Sequence, residues 1–415
     1  MFPPLRDTSQ VEPRMTEKTL TVLPSLTGIR RPNGRIVLAG RFLSGMKAYR
    51  ELWDGPLIAV VEPQSASVVD EDRKLGGDDV EIDPSNADFE TVLLDYDDRS
   101  ALTRELSRAS IVLGGIHYRQ NHIWSLGEKA RVPVVYTSEY TLKTRLQVVH
   151  ASVKNPLVKA RRIAWEVNQE RQIRVGLQRS AGLHANGTPT YEAYRDLSPS
   201  PLLFFDGRGS DAMLVPPDTL EERLTRLDGP GPLRLVFAGR MNHMKGADEL
   251  LKVARQLLDD RVPFTLDIYG GGILEDTMRE TIAMEQMGHA VHMHGFVPFS
   301  ELMPRIGVDY DLFLCCHVQG DPSGMYLEML GKGLPFVGYG NEALAGILRI
   351  TNVGVVAPVR DHVGCAKHIG RLASDPDRIR FMARAARAFA QRHTFDRSFK
   401  RRIDHLRSLA SHLRQ

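Results

Sequence analysis

Two cations follow an apolar segment in the middle of the chain. The run Leu233–Ala238 has the apolar character of a buried strand; Gly239 and Arg240 follow it at once, and Lys245 comes five residues after Arg240. A strand that ends at a glycine and enters a helix presents free backbone N–H groups to an anion. Arg240 can bind two phosphate oxygens with its planar fork, and Lys245 adds a point charge. The pattern fits a diphosphate site and a turn with two solvated cations equally well.

Two further segments follow the next predicted strands. Residues 270–272 are three successive glycines before a predicted helix, and Gly271 is the candidate for close backbone contact with a ligand. Residues 294–298 could lay their backbone against a flat base. Both segments can also be explained as tight turns, because glycine and proline are common there.

The segment 316–335 contains a polar loop that enters a helix near Ser323. Glu328 lies inside this predicted helix between Leu327 and Met329. A carboxylate among apolar residues is costly to bury unless it accepts hydrogen bonds, and the diol of a ribose would donate two. The alternative is an exposed helical glutamate.

Together these segments resemble the nucleotide-binding half of the retaining glycosyltransferases of the GT-B fold, family 4 (glycosyl transferases group 1). The resemblance covers roughly residues 233–395. It rests on Gly239-Arg240, Lys245-Gly246, residues 270–272 and 295–297, and Leu327-Glu328 followed by residues 333–337. It implies a nucleoside-diphosphate sugar as the donor. Arg240 and Lys245 would then bind the diphosphate, Glu328 the ribose, and the backbone of Val297 would lie near the base.

One position departs from the family. Its members usually carry a second acid eight positions before the equivalent of Glu328, where it contacts the donor sugar, but this chain has Gly320 there. Either the loop is rebuilt so that Asp321 contacts the sugar, or Gln319 and the backbone N–H groups around Ser323 and Gly324 hold it. We favour Asp321.

The first half of the chain offers three further candidates. Residues 40–45, ending at Gly45, resemble the family's glycine loop that closes over the donor phosphates. His117 follows a predicted strand and would point towards the cleft, although a lone histidine is more often structural. Glu139 also follows a predicted strand, where relatives often carry a His or Asp that contacts the transferred sugar.

Glu139 has a physical role in transfer with retention. Positive charge develops at the anomeric carbon, and a carboxylate beside it stabilises an oxocarbenium-like state electrostatically or as a transient nucleophile. Arg240, Lys245 and helix N-termini would stabilise the leaving diphosphate, so that no metal and no other cofactor is required. The alternative is that Glu139 caps the next helix or pairs with Lys143.

Alternating apolar and amphipathic stretches predict the elements that position these residues. The class is α/β, with two Rossmann-like doubly wound domains facing a cleft. We expect a mobile leader over residues 1–34, an acceptor-side domain over 35–215, a linker over 216–232 and a nucleotide-sugar-binding domain over 233–395. A final helix, 396–415, follows; in relatives it crosses back to the first domain.

The composition limits the class of protein and its cellular location. Hydrophobic content of 42% and charged content of 25% are ordinary for a soluble globular protein, and a net charge of +3 is too small to indicate nucleic acid. Three cysteines form no disulfide framework, which indicates the cytoplasm. Residues 140–179 carry nine Lys or Arg against two Glu, with apolar residues between them. This segment could dock on the anionic inner face of the membrane, or it could be a solvated helical face.

The expected protein is a cytoplasmic glycosyltransferase. It would move a hexosyl unit with retention from a nucleoside-diphosphate sugar to a hydroxyl of a glycan or lipid-linked glycan, in polysaccharide or glycolipid biosynthesis. Two alternatives stay open: a sugar-nucleotide epimerase of the same fold, and a non-catalytic nucleotide-sugar-binding subunit.

Overall fold

The computed structural model describes residues 18–64, 79–320 and 322–412. Contacts divide the chain into two compact units. Unit 1 consists of Met1–Gly115, His122–Val134 and Leu406–Gln415, and unit 2 of Ile116–Asn121 and Val135–His405. The predicted domain boundaries at residues 215 and 233 stay predictions. Among the helices of the described ranges, none is both long and apolar enough to cross a membrane.

Unit 1 is built on short parallel strands. Its strands are β1 (Leu20–Val22), β2 (Thr27–Arg30), β3 (Ile36–Ala39), β4 (Leu57–Pro63), β5 (Asp79–Ile82), β6 (Glu90–Leu93) and β7 (Ile111–Gly115). Its helices are α1 (Gly40–Leu52), α2 (Arg99–Leu106) and α3 (Ile123–Ala130). Strands β7, β1, β4 and β6 pair in parallel in that order, and β2 also pairs in parallel with β4. Strand β3 runs antiparallel between β2 and β5.

The prediction of a mobile leader over residues 1–34 is wrong for its second half. Strand β1 lies between β4 and β7, and all three of its residues are buried. An apolar run this short is enough for a central strand of a parallel sheet. Pro24 does not interrupt it, because the proline comes after the strand has ended. Residues 1–17 lie outside the described residues.

The predicted glycine loop over residues 40–45 is also wrong. Gly40 begins helix α1 directly after β3, and Gly45 lies within the helix. A glycine costs a helix about 1 kcal/mol relative to alanine, which a helix of 13 residues that buries Met46, Ala48 and Tyr49 can tolerate. Gly45 is therefore a helical residue of unit 1.

Unit 2 contains two sets of parallel strands. The first set is β8 (Val134–Ser138), β9 (Gly182–Asn186) and β10 (Pro201–Phe204), paired in that order; only Val134, the first residue of β8, belongs to unit 1. The second is a six-stranded sheet of β11 (Leu233–Ala238), β12 (Phe264–Tyr269), β13 (Val291–Gly295), β14 (Leu312–Cys315), β15 (Phe336–Tyr339) and β16 (Gly354–Ala357). Every pair in the second sheet is parallel. The predicted α/β class with Rossmann-like parallel sheets is confirmed.

Helices connect these strands. They are α4 (Leu142–Ser152), α5 (Pro156–Arg179), α6 (Gly187–Tyr194), α7 (Pro217–Thr225), α8 (Ala247–Asp259), α9 (Glu275–Met284), α10 (Phe299–Asp309), α11 (Gly324–Gly331), α12 (Glu342–Ile350), α13 (His362–Ala373), α14 (Pro376–Arg392) and α15 (Phe395–His412). Helix α7 lies within the predicted linker 216–232, and its Leu220 and Leu224 are buried with Val215 and Ala383. The last residues of α15, from Leu406 on, belong to unit 1, where Arg407 donates hydrogen bonds to Leu52 and Asp54.

The order of the six-stranded sheet reverses next to its centre. The sheet runs β13, β12, β11, β14, β15, β16, so the chain leaves β11 towards β12 and later returns to the other side of β11 as β14. Ligands of doubly wound sheets bind beyond the carboxyl ends of the strands at such a reversal. The loops that follow β11 and β14 therefore border the expected crevice, and they contain Lys245 and Gly320. Below them lies an apolar core in which the chain's three cysteines, Cys315, Cys316 and Cys365, are buried.

Candidate functional site

The loop after β11 packs directly against the loop after β14. Gly246 has φ of 62°, and a Cβ at this position would lie 1.8 Å from the carbonyl oxygen of Cys316. Only glycine fits there. The backbone N–H groups of Val318 and Gln319 both donate to the carbonyl of Met244, at 3.1 and 3.3 Å. Lys245 is consequently fixed at the strand-order reversal.

The two cations that the sequence singles out lie on this loop. Arg240 is exposed, and within the described ranges its guanidinium has no hydrogen bond or ion pair with another residue. Lys245 is half-buried, and its backbone N–H donates to the Asn242 side chain at 2.9 Å. At the carboxyl edge of the sheet, the loop thus offers a guanidinium without a partner among the described residues and a lysine whose backbone is held in place.

The three-glycine loop packs against the same strand end. Gly270 has φ of 122°, and a Cβ there would lie 2.0 Å from the carbonyl oxygen of Gly239. The N–H of Met241 donates to the carbonyl of Gly271 at 2.8 Å. This close backbone packing by itself explains the glycine at position 270, and it also brings Gly271 beside the Arg240 loop.

The loop after β13 packs against the three-glycine loop in the same way. The N–H of Gly270 donates to the carbonyl of Gly295 at 2.8 Å, and Gly295 has φ of 70°. Val297 packs its half-buried side chain on the apolar core, whereas Phe296 is 81% exposed. Backbone contacts therefore bring together three of the predicted segments, those of Arg240, Gly271 and Val297.

Glu328 is buried on helix α11, which rules out the exposed alternative. It lines a small cavity with Met213, Phe299, Met303 and Lys332. The helix begins after Ser323, whose side chain makes no capping hydrogen bond, so the N–H groups next to Gly324 have no cap from this residue. A helix N-terminus of this kind attracts negative charge. Asp321, the other acid of this segment, lies outside the described residues.

A buried polar cluster joins this helix to the Lys245 loop, and the sequence reasoning missed it. His317 Nδ1 lies 3.2 Å from the hydroxyl of Tyr326, and the side-chain amide of Asn341 donates to the same hydroxyl at 3.0 Å and to the His317 carbonyl at 3.2 Å. His317 Nε2 is buried without a hydrogen-bond partner in the described part of the chain. Burial, followed by the positive charge of Lys245, lowers the pKa of His317 well below its usual value. The only sequence signal was its place at the end of an apolar run.

His117 and Glu139 lie on neighbouring loops of unit 2. The N–H of Ile116 donates to the carbonyl of Thr137 at 2.8 Å, which pairs the ends of the two segments. Burial and then the charge of Arg119 lower the pKa of His117 to about 4, so its imidazole is neutral at pH 7. Glu139 is exposed.

The helix that follows Glu139 has a cap of its own, so Glu139 is not its N-cap. Helix α4 is capped by Thr141, whose hydroxyl accepts the N–H of Thr144 at 3.2 Å. Lys143 pairs with Glu342. Gly45, the remaining candidate, lies in helix α1 of unit 1. No group of three or more His, Cys, Asp or Glu in the described residues has the geometry to hold a metal ion.

The segment that contains these loops matches the model of a known family. The family described as "Glycosyl transferases group 1" matches residues 232–375, which include Arg240, Lys245, Gly271, Val297 and Glu328. The matched residues, 144 of the 415 in the chain, all lie in unit 2.

Two curated relatives are similar to parts of this chain. The UDP-N-acetylglucosamine–peptide N-acetylglucosaminyltransferase GtfA subunit of Streptococcus pneumoniae serotype 4 is 26% identical over 132 residues, which are 31% of this chain and 25% of the relative. Glycogen synthase of Mycobacterium tuberculosis is 24% identical over 216 residues, which are 46% of this chain and 51% of the relative. This chain thus spans between a quarter and about half of their lengths.

Solved structures extend the likeness to nearly the whole chain. Anabaena HepE in complex with UDP matches with a TM-score of 0.65 and 13% identity, over 94% of this chain and 99% of that one. At this identity the likeness concerns the fold. The chain thus has the GT-B fold that the resemblance implied.

Proposed function

We propose that the protein is a glycosyltransferase that transfers a hexosyl unit from a UDP-sugar to a hydroxyl of a glycan or lipid-linked glycan. The observation that carries the proposal is the strand-order reversal, where Arg240 has no partner among the described residues and the contact between Gly246 and Cys316 holds the backbone beside Lys245. The GtfA subunit is named for a UDP-sugar, and the HepE structure is a complex with UDP, which supports uridine as the base.

The leaving-group side is the better defined half of the reaction. The bond between the anomeric carbon and the diphosphate oxygen breaks, and UDP leaves with the electron pair. Arg240 and Lys245 neutralise the charge that develops on the diphosphate, as do the N–H groups near Ser323 and Gly324. Glu328 binds the ribose diol, and the backbones of Gly271 and Val297 lie along the nucleotide. These groups need no metal for the charge they stabilise.

On the sugar side, the acceptor oxygen bonds to the anomeric carbon and releases its proton. We assign Glu139 to the stabilisation of positive charge at that carbon, on the face that gives retention, as in family 4. His117 is neutral at pH 7, so it can accept the acceptor's proton or a hydrogen bond from the sugar. Asp321 stays a sequence-based candidate for a sugar contact.

A ligand screen tests the proposal. UDP at a hundredfold excess over its dissociation constant should stabilise the folded protein by about 2.7 kcal/mol, which is measured as a rise in melting temperature. Adenine and guanine nucleotides at the same concentration serve as controls. No rise with UDP or with any UDP-sugar would disprove the proposal. Release of an epimer from a donor in the absence of acceptor would instead identify an epimerase, and binding without transfer to any acceptor would identify a binding subunit.

The basic segment 140–179 supports an acceptor at the inner face of the membrane. Leu157 and Val158, in the first turn of α5, are 81% and 54% exposed, and four cations flank them at Lys154, Lys159, Arg161 and Arg162. Apolar tips ringed by cations bind anionic bilayers. Flotation with anionic and neutral liposomes tests this. The Leu157→Asp/Val158→Asp double variant should lose binding to anionic vesicles, whereas Phe381→Asp, at an exposed phenylalanine elsewhere, should keep it.

A further inference from the structure

The place of the missing acid at position 320 is filled from another element. A Cβ on Gly320 would lie 2.0 Å from Oε2 of Glu342 and 2.9 Å from its Cδ. The carboxylate of Glu342 therefore rests on the Cα of Gly320, in the space that a side chain at position 320 would occupy. Gly320 itself is buried.

Glu342 is held there by the start of its helix. It is the first residue of α12, and Asn341 caps that helix by accepting the N–H of Leu344 at 3.0 Å. The amide of Asn341 also binds His317 and Tyr326, as described above. Because Tyr326 and Glu328 lie on the same helix, Glu342 has a fixed relation to the residue that we assign to the ribose. A carboxylate in the first turn is also favoured by the helix dipole.

The surroundings of Glu342 leave room for a sugar. Glu342 borders an open cavity of about 720 Å³ together with Lys143, Gln147, Glu192 and Arg349. This volume is in the range of small-molecule sites. Lys143, which pairs with Glu342, has a side chain that is 68% exposed, and exposed ion pairs contribute little to stability. Hydroxyl donors can therefore replace it.

We propose that Glu342 is the carboxylate that binds the transferred sugar, by accepting hydrogen bonds from two of its hydroxyls. This rests on the proposed UDP-sugar activity and adds a residue that determines which sugar is accepted. A carboxylate accepts two hydroxyls at once, and such charge-assisted bonds are stronger than those between neutral groups. Gly320 is then required, since any side chain there would displace the carboxylate.

Titration calorimetry with UDP and with UDP-sugars tests the assignment. For the best-bound UDP-sugar, Glu342→Gln should lower affinity about tenfold and leave UDP affinity unchanged, because only the sugar contact weakens. Glu221→Gln is the matched control: Glu221 is an exposed carboxylate on α7 that pairs with Arg384, outside the cavity. This variant should bind both ligands as the wild type does.

Moving the carboxylate from position 342 to position 320 gives a second test. Gly320→Glu should weaken UDP-sugar binding, because its side chain meets Glu342. Combining it with Glu342→Ala should restore part of the affinity that Glu342→Ala alone loses, provided that all variants keep the wild-type circular dichroism spectrum. The inference is overturned if Glu342→Gln binds UDP-sugar as tightly as the wild type, or if Asp321→Asn alone causes the tenfold loss. If the wild type binds neither UDP nor a UDP-sugar, the proposed function itself is wrong.

Discussion

The two ends of the proposed donor site are built in different ways. On the diphosphate side, the loops after β11, β12 and β13 are joined by backbone hydrogen bonds and by glycines that approach carbonyl oxygens. On the sugar side, the arrangement depends on side chains, with Glu342 meeting Gly320 across 22 positions of sequence and pairing with Lys143. Close backbone packing requires glycines, and these form patterns that can be recognised in a sequence. A side chain that fills the space of a residue on a distant element leaves no such pattern.

Replacing Gly246 should give the largest effect, because it breaks the backbone-built end. In Gly246→Ala, the new Cβ meets the carbonyl of Cys316 and the residue must keep a positive φ. We expect a loss of about 3 kcal/mol or more in the free energy of unfolding, measured by urea denaturation. Gly288→Ala, where a Cβ meets nothing within 4 Å, should change this free energy by less than about 0.5 kcal/mol. Equal losses in both variants would contradict the packing described for this loop.

Replacing Arg240 should separate binding from folding at the same end. The guanidinium has no partner in the described ranges, so Arg240→Ala should leave the melting temperature of the free protein unchanged. UDP affinity should fall about tenfold to a hundredfold, as expected when charge-assisted hydrogen bonds are lost. Arg255→Ala, which removes an exposed arginine that pairs with Asp259 on α8, is the control and should bind UDP normally. Unchanged UDP affinity in Arg240→Ala would remove Arg240 from the site.

Replacing His317 should give the smallest effect, which is a change in the pH dependence of stability. It tests the buried cluster of His317, Tyr326 and Asn341. His317 has a lowered pKa in the folded state, so below pH 6.5 the unfolded chain takes up a proton that the folded protein does not. Stability is therefore lost as the pH falls from 7.5 to 5.5. In His317→Gln that loss should be smaller by about 1 kcal/mol, measured by urea denaturation at both pH values.

Removal of an exposed histidine provides the comparison. His289→Gln should lose as much stability on acidification as the wild type. The same pH dependence in His317→Gln and the wild type would show that His317 becomes protonated in the folded protein.

The sequence predicted the α/β class because strands such as Leu233–Ala238 are apolar and end at a glycine. Gly270 shows why the glycine loop could also be found, since a positive φ beside a carbonyl leaves one residue type. Gly45 shows the limit of that reasoning, because a glycine that a helix merely tolerates is identical in sequence to one that a loop requires. Strand β1 was missed because three buried residues give no periodicity to detect.

The sugar side was less predictable for a related reason. The absence of an acid at position 320 was visible, but the residue that fills its space belongs to a helix that begins after the next strand. Glu342 has no motif around it, and its role depends on the capping of α12 by Asn341. His317 was equally hidden, since its importance comes from its contact with Tyr326 and its burial.

The three buried cysteines give the protein its own chemical reporters. Burial raises the pKa of Cys315 to about 11, so its thiol is both inaccessible and protonated in the folded state. A thiol reagent would therefore react at this position only when the fold opens. Because the carbonyl of Cys316 is the atom against which Gly246 packs, labelling of this neighbouring pair follows the opening of the diphosphate loop. The labelling rate of these cysteines with and without UDP would then measure how strongly nucleotide binding closes that loop. No engineered probe is needed.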